Sequence, residues 1–301
     1  MKQRISTTFK MILACVLTLA LFCACTVTVN FGGADAPAAP NCEGMLLVHF
    51  LDVGQGDAIF IELPNGKTML VDAGENYHGQ GILDYVQRIG YSRLDYVVAT
   101  HPHEDHIGSL PYIVRNFEVG SIYMPDVTAN TTTFESLLKA IKNKNLRIKN
   151  GRAGVRIIGE DKLTADIIAP DKPDESDLNN SSIVMLLTFG GVSFLLTGDA
   201  ETKELNSVRA DMHATVLKAG HHGSKTSTTQ TLLKKIAPQV TVISCGKNNE
   251  YGHPNAEVLK MLKSAGSTVY RTDRDQTVVM KTDGSSLTVS TGDPSIKAAK
   301  Q

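Results

Sequence analysis

Residues 100–108 read Thr-His-Pro-His-Glu-Asp-His-Ile-Gly, which sets three histidines and an aspartate within six positions. Imidazole and carboxylate are the donors that borderline divalent metals take. The alternation His101-x-His103 sends two imidazoles to one side of the chain. The turn that opens the next helix delivers Asp105 and His106 to the other side. One loop of this pattern can serve two metal ions roughly 3.5–4 Å apart. Two ions sharing a carboxylate and a water bring hydroxide within reach near neutral pH, because coordination lowers the pKa of water toward ~7. The chemistry expected of such a loop is hydrolysis.

The elements that must position this loop are short and apolar. Residues 94–99 form a buried-strand pattern directly before it. Upstream, residues 45–52, 58–63 and 68–71 predict strands, separated by Gly54-Gln55-Gly56 and by the turn Pro64-Asn65-Gly66. Residues 82–89 have helical spacing and stop at Gly90. Downstream, strands are predicted at 183–189 and 192–196, joined by Gly190-Gly191, and at 214–217, 240–244, 269–271, 277–281 and 287–290. Helices are predicted at 134–141, 232–236 and 256–265. Many strands with a few amphipathic helices imply two sheets packed face to face with helices outside. No composition break interrupts residues 43–293, so one catalytic domain is expected there, with a tail at 294–301.

The H-x-H-x-D-H pattern resembles the signature of the metallo-β-lactamase superfamily. That resemblance implies an α/β fold, the four-layer αβ/βα sandwich, and two divalent metal ions, Zn or Mn. Further motifs match in order. Leu70-Val71-Asp72-Ala73-Gly74 is similar to the motif whose aspartate orients the metal loop from behind. Leu196-Thr197-Gly198-Asp199 is similar to the motif whose carboxylate bridges both ions, and Gly220-His221-His222-Gly223-Ser224 to the late histidine motif. The implied ligands are His101, His103, Asp105, His106, Asp199 and His221. Asp105 and Asp199 carry the chemistry, and His222 or His253 protonates the leaving group or holds a phosphate oxygen.

A narrower resemblance rests on Phe50-Leu51-Asp52-Val53-Gly54-Gln55-Gly56-Asp57, the His-Pro-His-x-Asp-His loop, Lys218-Ala219-Gly220-His221-His222-Gly223-Ser224 and Tyr251-Gly252-His253-Pro254. Together these look like the hydrolase domain of ComEC-type DNA-uptake proteins. One departure from the broad superfamily stands out: no histidine lies between His106 and His213 to complete the first site. Asn179-Asn180-Ser181-Ser182 occupies that stretch, so Asn180 or His253 is the candidate third ligand. An amide oxygen binds more weakly than imidazole, which lets harder ions such as Mn²⁺ compete with Zn²⁺. Of the remaining candidates, His49 and His213 are expected to be satisfied core histidines and His78 a solvated turn residue. Asp57 sits either near the metals or simply in a tight turn.

Lys+Arg number 30 and Asp+Glu 31, a net charge of −1, which excludes nucleic-acid binding by bulk positive charge. The basic residues Lys2, Arg4 and Lys10 precede the uncharged stretch 11–29, the pattern of an export leader over residues 1–24. The stretch is also long enough for an anchor, and Leu21-Phe22-Cys23-Ala24-Cys25 resembles a lipoprotein box with Cys25 as the lipidated residue. Residues 25–42 are expected to be a flexible linker. Without residues 1–24 the net charge falls to −4. With Cys15, Cys23 and Cys25 assigned to the leader and its lipid site, Cys42 and Cys245 are left, as a bridge or as two thiols. Residues 139–156 hold seven basic side chains and no acid, so Lys142, Lys144 and Arg147 are candidate phosphate contacts, with a solvated face as the other reading. The expectation is an exported, surface-anchored binuclear phosphodiesterase or nuclease acting on extracellular DNA, tethered to the membrane by leader or lipid and needing no obligate protein partner. Rival expectations are a cell-wall or phosphocholine diester, a lactone, ester or β-lactam, and a non-catalytic binding module.

Overall fold

A computed structural model describes residues 44–293; the leader, the linker with Cys25 and Cys42, and the tail lie outside the described residues. Strands β1 (Leu46–Phe50), β2 (Ile59–Glu62), β3 (Thr68–Val71) and β4 (Arg93–Val98) are apolar on both faces. The period-two alternation of a strand therefore serves two cores at once. Leu46, Val48 and Phe50 of β1 face a second sheet, while Leu47 packs with the helices on the outer face. Ile59 and Ile61 likewise point inward and Phe60 outward, as do Met69 and Val71 against Leu70.

The first sheet continues through β5 (Glu118–Met124) and β6 (Ile148–Asn150) on one side, and through β14 (Thr277–Thr282) and β15 (Leu287–Asp293) on the other. Its order is β15-β14-β1-β2-β3-β4-β5-β6. Pairing is antiparallel as far as β3 and parallel from β3 to β6. The second sheet contains β7 (Arg156–Gly159), β8 (Leu163–Ala169), β9 (Val184–Phe189), β10 (Val192–Leu196), β11 (Val216–Lys218), β12 (Val240–Ile243) and β13 (Thr268–Arg271), in the order β13-β12-β11-β10-β9-β8-β7. Here β10 to β13 are parallel and β7 to β10 antiparallel. Helices α1 (Gly79–Arg88), α2 (Glu104–Ile107), α3 (Leu110–Asn116) and α4 (Thr132–Asn143) belong to the first half of the domain. The outer face of the first sheet is covered by α1, α3 and α4; α5 (Thr202–Ser207), α6 (Gln230–Ile236) and α7 (Ala256–Ser264) cover the second. A one-turn α8 (Thr272–Asp275) precedes β14. The result is the expected αβ/βα sandwich, with three apolar layers between four layers of structure.

Strands β5 to β8 have no counterpart in the sequence reading. Their apolar residues are interrupted by polar ones, and β6 is exposed throughout. The basic run falls here. Edge strands need charged side chains to block further pairing, and β6 and β7 are the outermost strands of their sheets. Lys149 covers the ring of Tyr123, and Arg156 forms an ion pair with Asp166.

Parallel strands point their carboxyl ends the same way, so the loops after β3, β4, β10 and β11 gather at one rim of the sandwich. Among the described residues no helix is long and apolar enough to cross a membrane. Phe194, fully buried between the sheets, tests the central layer: Phe194→Ala is expected to cost about 3–5 kcal/mol, read from the denaturant midpoint. A loss below about 1 kcal/mol would place the stabilising core elsewhere.

Candidate metal centre and active site

The loop after β4 is braced from behind. Asp72, which follows β3, is fully buried with a left-handed backbone (φ 56°). It accepts the Thr100 amide at 2.8 Å and the Thr100 hydroxyl at 2.6 Å. It also accepts the His106 Nδ1 proton at 2.8 Å. That bond fixes the tautomer and turns His106 Nε2 toward the rim. Glycine is required on the other flank. Gly56 has φ +132°, and a Cβ there would lie 2.3 Å from the Asp105 carbonyl oxygen. The Gly54–Gly56 turn is therefore also a wall of the site, and the Asp57 amide donates to the same Asp105 carbonyl at 3.1 Å.

Four side chains then converge: Asp105, His106, Asp199 and His222 offer donor atoms within 4.8 Å of one another. His106 Nε2 lies 3.2 Å from Asp199 Oδ1, and His222 Nε2 lies 3.1 Å from Asp105 Oδ2 and 3.5 Å from Asp199 Oδ2. Beside them His101 Nε2 and His103 Nδ1 face each other at 3.0 Å, with the His101 and His106 rings 4.2 Å apart. His106 Nε2 and Asp199 Oδ1 are buried without a hydrogen-bond partner. A ring nitrogen and a carboxylate oxygen left this way fit a divalent cation, which would displace the ring proton and satisfy both at once.

The electrostatics favour the same occupant. Burial opposes charge on His222, but Asp199, Asp105 and Asp57 outweigh it and push the ring up to about 9. Burial likewise opposes charge on His106, yet Asp199, Asp105 and Asp72 hold it well above the usual histidine range. Asp199 and Asp105 resist the upward pull of burial and stay below the usual carboxylate range, because His106 and His222 stand against them. His101 and His103 are shifted down by burial and so remain neutral and able to ligate.

Several expected roles change. His222, not His221, completes the cluster. Both have left-handed backbones (φ 53° and 49°), and this double reversal drives the second ring inward. His222 Nδ1 donates to the Ser244 carbonyl at 3.0 Å, freeing Nε2 for the cluster. The His221 side chain is 26% exposed against 2% for His222, and its Nε2 stops 3.7 Å from Asp199. Asn180 does not reach the first site. Its amide oxygen accepts from the Glu201 and Glu204 amides and its nitrogen donates to Asp177, so it serves the start of α5. The neighbouring Asn179 meets His103 instead, with its Oδ1 buried and unpartnered. His253 packs on the far side, against the His221 and Tyr251 rings, rather than beside His101.

Lys142, Lys144 and Arg147 are at the wrong end. Thr133 at the start of α4 donates to Glu104 beside the metal loop. The helix then carries Lys142 and Lys144 roughly 14–17 Å along its axis from Thr133, and Arg147 precedes the amino end of β6. His49 is a satisfied core residue, bonded to Tyr85 and Glu62. His213 is exposed, whereas His78 is buried and pushed down to about 4 by burial. Cys245 is a buried free thiol donating to Asp273 and raised to about 12, first by burial.

Lys218 is the residue whose role the sequence reading missed. It ends β11 at 0% exposure. Its ammonium contacts Asp57, donates to the Gly198 carbonyl at 3.1 Å and stands 3.9 Å from Asp199. Asp57 in turn approaches His222 Nδ1 at 3.5 Å. The signal was a lysine closing a short apolar strand: a buried cation there needs a buried anion.

Residues 51–247 match the family model for the metallo-beta-lactamase superfamily. The chain belongs to that superfamily. By its fold and donor set it is one of the family's metal-dependent hydrolases. The narrower resemblance has a counterpart in ComE operon protein 3 of Bacillus subtilis, 32% identical over 251 residues, covering 77% of this chain and 32% of that one. The chain spans about a third of the length of the curated competence proteins it matches. Over a shorter stretch, 31% of this chain and 13% of the other, it is 31% identical to Endoribonuclease ysh1 of Schizosaccharomyces pombe. The metallo-beta-lactamase fold protein YhfI from Bacillus subtilis shares the fold at a TM-score of 0.50 and 13% identity, covering 79% of this chain and 99% of that one.

Two outcomes are expected of this superfamily site. Lys218→Met takes the buried ammonium away from Asp57, at a cost of about 3–5 kcal/mol. Adding Asp57→Asn should recover much of it in denaturant melts; a double variant no more stable than the single would refute the pairing. Because His106 and His222 are protonated at neutral pH without metal, and ligation needs neutral rings, loading must release protons. Affinity should fall as pH drops below about 9. Calorimetric titration in two buffers of different ionisation heat reads this directly, and identical heats would contradict it.

Proposed function

We propose that this domain is a phosphodiesterase whose substrate is nucleic acid, working outside the cell with the chain held to the membrane by its leader or by lipid on Cys25. The observation that carries the proposal is the pairing of two donor sets on one open rim: His101, His103 and Asn179, then Asp105, His106, Asp199 and His222. Similarity to a competence protein and to an endoribonuclease supports a nucleic-acid substrate. Zn²⁺ or Mn²⁺ held by these residues would act as a Lewis acid, lowering the pKa of water and neutralising developing charge on phosphorus-bound oxygen.

The protein's own groups do the rest. Asp72 and the Ser244 carbonyl hold His106 and His222 in one orientation, so the donors are set before substrate arrives. The cleft, about 320 Å³, is lined by Gln55, His103, Asp199, His221, Tyr251 and His253. His253 lines it with no ion-pair partner among the described residues, and burial, then His221, keep its ring below the usual histidine range. In this reading its neutral ring donates an N–H to a phosphate oxygen.

The full chain loaded with Mn²⁺ or Zn²⁺ is expected to hydrolyse bis-p-nitrophenyl phosphate and DNA, but not nitrocefin or a lactone. Asp199→Ala should lower turnover by about 100-fold or more with an unchanged fold by circular dichroism. Cleavage of the dye but not DNA would redirect the substrate to a cell-wall diester. Cleavage of nitrocefin alone would overturn the phosphodiester class.

A further inference from the structure

A second cavity of about 450 Å³ adjoins the metal cleft through the shared wall residue His253. Its rim carries Lys247 and Arg274, both exposed and without an ion-pair partner among the described residues. Arg271, also lining it, is held by Asp273 at 2.6 and 2.9 Å and has no charge to spare. Tyr251 lines the metal cleft, next in the chain to Gly252 and His253 of the second cavity's wall. It is 64% exposed and stacks on the His253 ring at 5.9 Å and 25°.

The loop between them is built rather than slack. The Asn249 side chain donates to the Gly246 and His253 carbonyls at 2.9 and 2.6 Å and accepts the His253 amide at 3.0 Å. The Gly246 amide donates to Gln55 Oε1 at 3.0 Å, which ties the loop to the wall of the metal cleft. A solvent-facing aromatic ring on the metal cleft and two unpaired cations on the cavity that adjoins it are the parts that an unpaired polynucleotide needs. Phosphates follow the cations while a base lies on the ring. A duplex keeps its base faces covered and offers Tyr251 nothing to stack on.

We propose that this cavity is the track for the phosphates flanking the scissile bond of a single-stranded nucleic acid, with Tyr251 as the stacking platform. The proposal rests on the phosphodiesterase reading, because it gives the strand a direction of approach to the metal rim. It also relocates the substrate contacts from the Lys142–Lys144 end of α4 to the loop after β12 and to α8.

The test is binding of fluorescent dT12 and rU12 to the full chain in EDTA, so that the strand is held and not cut, over a range of salt. Lys247→Gln/Arg274→Gln removes two phosphate contacts and is expected to lower the salt slope by about 1.4. Lys142→Gln/Lys144→Gln, equal in charge change, should keep the wild-type slope. Tyr251→Ala should weaken binding by about 5- to 100-fold, and Tyr251→Trp should retain it. Binding of either oligomer with these slopes supports the track, and a preference between them names the sugar. An unchanged slope in Lys247→Gln/Arg274→Gln, or an equal loss in the α4 pair, overturns it. Hydrolysis is scored separately on the metal-loaded wild type. Absence of phosphodiester cleavage there would refute the enzymatic reading, while the slopes still decide the track.

Discussion

Four carboxylates, Asp57, Asp72, Asp105 and Asp199, meet at the rim between the two sheets, and three of them are almost wholly buried. Acids this close cannot all remain charged in a low-dielectric site without cations among them. The chain supplies one permanent cation, Lys218, and two imidazoles, His106 and His222, which the acids hold protonated. A divalent ion can take the place of those two protons. Metal binding, proton release and the stability of the rim are therefore one balance seen from three sides.

The fold exists in the form it does to bring these charges together. Each half of the sandwich has a parallel portion, and the carboxyl ends of β3 and β4 meet those of β10 and β11 at the same rim. The apolar layer between the sheets carries the stability, and the rim spends part of it on left-handed residues at Asp72, His221 and His222. Strained backbone of this kind persists where the surroundings over-determine it, and here hydrogen bonds from Thr100 to Asp72 and from His222 to Ser244 do so.

The metal loop was legible because its residues are contiguous. A strand followed by His-x-His-x-Asp-His carries its ligand alternation within a few positions, and local geometry alone separates the two donor pairs. The same holds for the apolar strands that frame it. Legibility ended where neighbours in sequence diverge in space. His221 against His222, and Asn179 against Asn180, are pairs of like residues distinguished only by which one the turn directs inward. The basic run was visible as charge, but its position depends on the parallel pairing of β6 with β5, which no local pattern records.

The sequence by itself determined the donor types, the hydrolytic class and the sandwich, because ligand chemistry and strand periodicity are local properties. Tertiary structure decided which histidine joins the cluster, which asparagine meets His103, that Lys218 neutralises Asp57, and that the unpaired cations beside the rim are Lys247 and Arg274. Those assignments depend on through-space distances between segments far apart in the chain. Only the packing of two sheets brings such segments within reach of one another.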